Sequence, residues 1–276
     1  AKSLWDSERK KMKKPDNDST FDVRSFFPFD VLCIEQLRKE MSWEVVSAKI
    51  PRLPRGWYEL MGLSKEDRID FCLDFWCSVL GIEHKESPSI CRFFSLLETI
   101  EVYIYRLEKE PYQLKMFYVF RDGRCGFQGE PPLLDFLGHH RLPPLGDRHY
   151  EKFFSIHNGF GKWEDEGIFP MRSLAKVQQK LRQQLVVMNK MQAEDNCYSL
   201  GIFPFYGYEE PFAYQSFFFD PEIRRDLPSP NVLLNEESLE HRSLETIELL
   251  HLSKSYYPSF LSWLENYLHS EEVYNE

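Results

Sequence analysis

Between residues 142 and 170 the sequence leaves the backbone few choices. Leu142-Pro143-Pro144 interrupts helix and ladder alike, because proline lacks the N–H donor and fixes φ. Behind it, Tyr150, Phe153, Phe154 and His157 recur three or four residues apart, so they share one face of a short amphipathic helix. Asn158-Gly159 predicts its end, since glycine enters the left-handed region without a Cβ clash. Gly161 and Gly167 bracket a loop carrying Trp163, Glu164, Asp165 and Glu166, and Pro170 halts the short extended run that follows. The stretch holds no nucleophile elbow and no phosphate-binding loop. It reads as a loop held in fixed shape against a core.

Upstream, residues 1–20 form a polar tail with Arg9, Lys10, Lys11, Lys13 and Lys14. Residues 21–135 predict an N-terminal α+β region of two helices and a β-meander. The first helix follows Pro28, with Asp30 as N-cap and Val31, Ile34, Leu37 and Met41 on one face. Trp43 to Ile50 predicts a short strand, closed by Pro51 and Pro54. Ser64 caps the second helix, Glu66 and Asp67 suit its N-terminal dipole, and Ile69, Leu73, Trp76, Cys77 and Leu80 form its apolar stripe up to Gly81. The period then changes. Ile100 to Leu107 alternates in and out, Leu114 to Phe120 answers it across a turn at Glu108 to Pro111, and Cys125 to Gln128 adds a third strand. Proline and glycine crowd residues 130–140, which places a soft boundary there. The region before it is either a separate domain or a front extension of one sheet.

Residues 136–276 contain the constrained stretch. After it, Leu174, Val177, Leu181, Leu185 and Met188 predict a helix from about Ser173, its candidate cap, to Met191; Gln178, Gln179, Gln183 and Gln184 make the other face polar. Residues 197–220 predict an aromatic strand pair, and the prolines of 221–240 a loop. Ser243–Leu252 and Tyr256–Leu268 predict two closing helices, the last with Phe260, Trp263, Leu264 and Tyr267 inward.

The order Leu-Pro, Tyr150-x-x-Phe153-Phe154 into Asn158-Gly159, and an apolar strand ending at Pro170 resembles the signature of the SUKH superfamily. That group holds the fungal cell-wall-synthesis regulator and bacterial immunity proteins that neutralise polymorphic toxins. Leu200 to Phe205, with Pro204, resembles its central strand, Tyr214 to Pro221 the next, and Ser259 to Leu268, with Phe260 and Trp263, its closing helix. The resemblance covers the second half of the chain. It implies an α+β fold, a mainly antiparallel sheet packed against helices, and a non-catalytic role: immunity-type toxin neutralisation, or regulatory scaffolding. Where relatives place small and acidic residues after the central strand, Tyr206-Gly207-Tyr208-Glu209-Glu210-Pro211-Phe212 is bulky, so a binding surface there would differ from theirs.

Composition narrows the partner. A net charge of −10 repels phosphate backbones and argues against nucleic acid. It suits a protein partner, a basic one included. The candidate surface is Trp163, Glu164, Asp165 and Glu166 together with Tyr206, Tyr208, Glu209 and Glu210; Trp163 is either an exposed anchor flanked by acids or a ring folded back on the core. Six cysteines show no metal or redox spacing, which indicates a reducing, cytoplasmic setting. Lysines near residue 1 have no apolar run behind them, so no secretion leader is read, and no stretch approaches a membrane span. Asp135, His139, His140, Asp147 and His149 are the densest titratable set, but they lie in a proline-broken loop without a completing pair, so neither metal nor cofactor is expected. The rival class is a hydrolase using Glu164 to Glu166 as paired carboxylates and His157 as base. Against it stands His157 as a last-turn residue whose charge suits a helix C-terminus.

Overall fold

A computed structural model describes residues 31–105, 112–122, 125–133, 147–162, 166–187, 202–208, 214–218, 231–234 and 257–269, with backbone only at 125, 166, 208, 218 and 231–234. The fold is α+β. One antiparallel sheet of nine strands runs in sequence order. Its strands are β1 (Val31–Cys33), β2 (Leu97–Tyr105), β3 (Gln113–Phe120), β4 (Cys125–Gly129), β5 (Phe160–Lys162), β6 (Glu166–Ile168), β7 (Ile202–Tyr208), β8 (Tyr214–Phe218) and β9 (Asn231–Leu234). Helices α1 (Ile34–Glu40), α2 (Trp43–Lys49), α3 (Arg55–Leu60), α4 (Lys65–Leu80) and α5 (Pro88–Ser95) precede β2. Helix α6 (Arg148–Phe153) precedes β5, α7 (Met171–Val187) follows β6, and α8 (Phe260–His269) closes the described chain.

The hairpin forms as the alternation predicts, with Ile100 opposite Tyr118 and Tyr105 opposite Gln113. The sheet does not stop at residue 130. Strands β4 and β5 pair, with Gln128 opposite Gly161 and Gly129 opposite Phe160. The first half is therefore a front extension of the same sheet. Pro204 sits where β7 shifts register against β8, the kind of bulge that tolerates a missing ladder donor. That shift turns both Phe205 and Tyr206 toward Trp263, at ring separations of 5.0 and 4.9 Å.

Several local expectations change. Trp43–Lys49 is a helix, not a strand: Trp43, Val46 and Ile50 recur at helical spacing and pack inward, while Val45 is exposed. The β-branched pair Val45-Val46 suggested extended chain, but tertiary burial of one face overrode it. Val31 belongs to β1 opposite Tyr105 rather than to a helical face, and α1 is capped at Cys33. Ser173 lies inside α7, and Asn158 supplies that helix's cap through Oδ1, which accepts from the Met171 amide at 2.8 Å. A strand, β9, lies within the segment expected to be a loop. The predicted helix at 243–252, Asp30, Leu107 and Met188 lie outside the described residues.

One face of the sheet is covered by α4, α5, α6 and α8. Trp76 lies at its centre, with ring centroids 5.3 to 5.4 Å from Phe94, Phe153 and Phe160. Tyr150, Phe153, Phe154 and His157 all point into this layer, as their spacing requires. Asp147 joins two helices. Its Oδ1 accepts from the His149 and Tyr150 amides at the start of α6, and its Oδ2 accepts from the Phe260 amide, the first residue of α8, at 2.6 Å. Arg68 is buried but matched, bonded to Glu35 at 2.8 Å and to the Met61 and Leu63 carbonyls. No helix among the described residues is long and apolar enough to cross a membrane.

Candidate functional site: a glycine-floored groove beside a cationic ridge

The opposite face of the sheet is bare where β5, β6 and β7 meet. Gly161 lies opposite Gly167, and Gly167 opposite Gly207. Side chains alternate along a strand, so these three positions share a face, away from Phe160, Ile168 and Tyr206. The result is a trough with no side chains on its floor. Gly167 has no alternative there, because a Cβ would meet the Phe160 carbonyl oxygen at 2.7 Å and the Gly161 Cα at 2.9 Å. Gly159 turns the chain into the trough at φ +104°, a region that favours glycine.

A groove of about 280 Å³ lies over this floor. Lys115 and Gln128 form one wall, with Lys115 Nζ donating to Gln128 Oε1 at 2.9 Å. Ser173, Lys176, Val177 and Lys180 of α7 form the other, and Phe169 and Tyr214 pack edge to face at one end. Lys162 also borders the groove, but its register opposite Phe127 directs its side chain to the other face. Helix α7 therefore presents Arg172, Lys176 and Lys180 at i, i+4 and i+8, one ridge of cations. Arg172 forks both oxygens of Glu130 at the end of β4, and this contact holds the Arg172 guanidinium above its ordinary range. Lys176 and Lys180 have no carboxylate partner among the described residues. On a chain of charge −10 this is a local reversal of sign.

The sequence-singled residues divide. Trp163, Glu164, Asp165, Glu209 and Glu210 lie outside the described residues, and of Glu166 and Tyr208 only the backbone is described. Glu166 is opposite Tyr208, so the chain enters β6 and leaves β7 at the same end of the sheet. Tyr206 is a correction: it is buried against Trp263 and Tyr267 as part of the core, not a partner contact. Asp135, His139 and His140 lie outside the described residues, and Asp147 is engaged as the double cap.

His157 is a second correction. It is 1% exposed and carries no helix-terminal charge. A carbonyl can only accept, so Nδ1 bears the proton and donates to the Glu130 oxygen at 3.0 Å; Nε2 then accepts from the Tyr118 hydroxyl at 2.6 Å. Burial pushes its pKa down to about 4. The ring stacks on Phe160, with centroids 5.5 Å apart. A neutral imidazole with both nitrogens occupied inside the core offers no base to a substrate. Sequence reasoning missed the groove itself. Its signals were the i, i+4, i+8 cations of α7 and glycines at 161, 167 and 207, but only strand register brings those glycines side by side.

Comparison with known protein families, with curated proteins and with solved structures finds no match to this chain.

Proposed function

We propose that this protein is a non-catalytic recognition module that binds another protein, and that it acts as an immunity-type neutraliser of a toxin or as a regulatory scaffold. One contrast carries this reading. The polar groups best suited to chemistry, His157 and Asp147, are engaged by the chain itself, whereas Lys176 and Lys180 stand over an open groove. The resemblance of residues 136–276 to the SUKH superfamily supports the same class of role. The acidic runs Glu164 to Glu166 and Glu209-Glu210 adjoin the same end of neighbouring strands, and they suit a basic surface on the partner.

The test is co-purification of the full chain from its source cells, identification of retained proteins by mass spectrometry, and calorimetry with the purified partner. Trp163→Ala is expected to weaken that binding by about thirtyfold, the loss typical of an aromatic anchor. Retention of a small molecule with no protein would overturn the reading.

A further inference from the structure

We propose that the groove binds an extended acidic segment of a partner protein, with carboxylates at alternate positions aligned on Lys176 and Lys180. This rests on the recognition reading above and specifies the ligand.

The chain already displays the contact once. Glu130 lies in the fork of Arg172, the first cation of the ridge. The next two positions repeat the charge and lack a carboxylate among the described residues. Four residues of α-helix advance about 6 Å. Alternate side chains of an extended strand lie about 6.6 Å apart on one face. A peptide running along α7 would therefore present successive acids to successive lysines and continue the series that Glu130 begins. Lys115 stands on the opposite wall, within reach of a third acid. The floor of Gly161, Gly167 and Gly207 leaves a flat bed for a backbone that must lie close to the sheet.

Two features separate a peptide from a phosphate ligand. The sheet amides beneath the groove are committed to ladders, so no backbone nest faces upward among the described residues. The groove volume of about 280 Å³ holds a strip of side chains rather than an enveloped nucleotide. The field is local as well. At physiological salt the screening length is about 8 Å, so a short peptide on the ridge is largely insulated from the acidic remainder of the chain.

The experiment uses the full chain and a fluorescein-labelled peptide with glutamate at every second position and serine between, followed by anisotropy. Saturable binding that weakens with added salt is expected. The Lys176→Glu, Lys180→Glu double variant should bind at least about tenfold more weakly, and Lys85→Glu, distant in sequence and highly exposed, should stay within about twofold. Lys176 is exposed and Lys180 half-buried, and neither has a carboxylate partner among the described residues, so the double variant should keep the wild-type melting temperature, checked in the same buffer. A peptide with the same glutamates in one block should bind more weakly. Three results would overturn the inference: unchanged affinity in the double variant, equal affinity for the blocked peptide, or tighter Lys176-dependent binding of a single-stranded oligonucleotide of equal charge. Partner protein retained equally by wild type and double variant would sink the groove alone, whereas no retained protein at all would sink the recognition reading beneath it.

Discussion

The two faces of the central sheet are made from the same strands but obey opposite rules. Toward α4, α6 and α8 the described positions are filled mostly by rings: Phe127 stacks on Phe160 at 5.2 Å, and Tyr150 meets Phe154, Phe217 and Phe260 at 5.1 to 5.3 Å. The polar groups Asp147 and His157 there are bonded within the chain, whereas the buried Tyr150 hydroxyl has no hydrogen-bond partner among the described residues. Toward α7, at β5 to β7, side chains are missing, and Lys176 and Lys180 have no carboxylate partner among the described residues. A sheet face that is filled and neutral produces stability. One that is emptied and charged gives up packing and keeps room for something else. Ring deletions on the first face should cost folding, and charge reversals on the second should cost binding.

The largest expected effect is Trp76→Ala. It deletes the ring in edge contact with Phe94, Tyr118, Phe153 and Phe160, and should destabilise by about 3–5 kcal/mol in urea unfolding. A loss under about 1 kcal/mol would mean that the ring face is not the main source of stability.

Next comes pH. The folded pKa of His157 is lowered to about 4, below the ordinary value of about 6.5, so the unfolded chain binds the proton more readily. Stability is then fully present above about 6.5 and is lost as pH falls from there toward about 4, by about 3 kcal/mol at most. Urea midpoints between neutral and acidic pH should show this slope, and His157→Phe should flatten it. An unchanged slope in the variant would place the titration elsewhere.

On the bare face, Gly167→Ala should cost about 2 kcal/mol, because the new methyl meets backbone that cannot yield. Gly56→Ala in α3 is the control: its Cβ meets nothing within 4 Å, so it should stabilise by about 0.5–1 kcal/mol through the unfolded state. Thermal melts of the pair distinguish a glycine required by contact from one that is only permitted. Smallest of all, Lys176→Glu with Lys180→Glu should shift unfolding by less than about 0.5 kcal/mol. A larger loss would make the ridge part of the fold rather than a surface held for a partner.

Much of the ring face was legible in the sequence. The spacing of Tyr150, Phe153, Phe154 and His157, the Ser64 cap whose Oγ accepts from the Asp67 amide at 3.1 Å, and the hairpin alternation all survive, because periodicity and capping are local. The charge state of His157 was not legible. It depends on Tyr118 and Glu130, which are 39 and 27 residues away in the chain. Trp43–Lys49 misread for a related reason: a seven-residue helix is too short to declare its period against two valines, and burial of Val46 decided it. Tyr206 reads as a contact residue because it opens the bulky aromatic segment after the strand that resembles the family's central one, and in the fold it is turned inward beside the bulge at Pro204.

By itself the sequence determined the class of fold, the antiparallel hairpin at the front of the sheet, the aromatic helix faces and the turn at Asn158-Gly159, since each follows from dihedral preference or from apolar spacing within one element. Only the tertiary structure decided that both halves share one sheet, that His157 is sealed and neutral, and that three glycines from three strands form a floor beside two lysines of α7. Those outcomes depend on register between distant segments, and no local spacing encodes which residues will stand opposite one another.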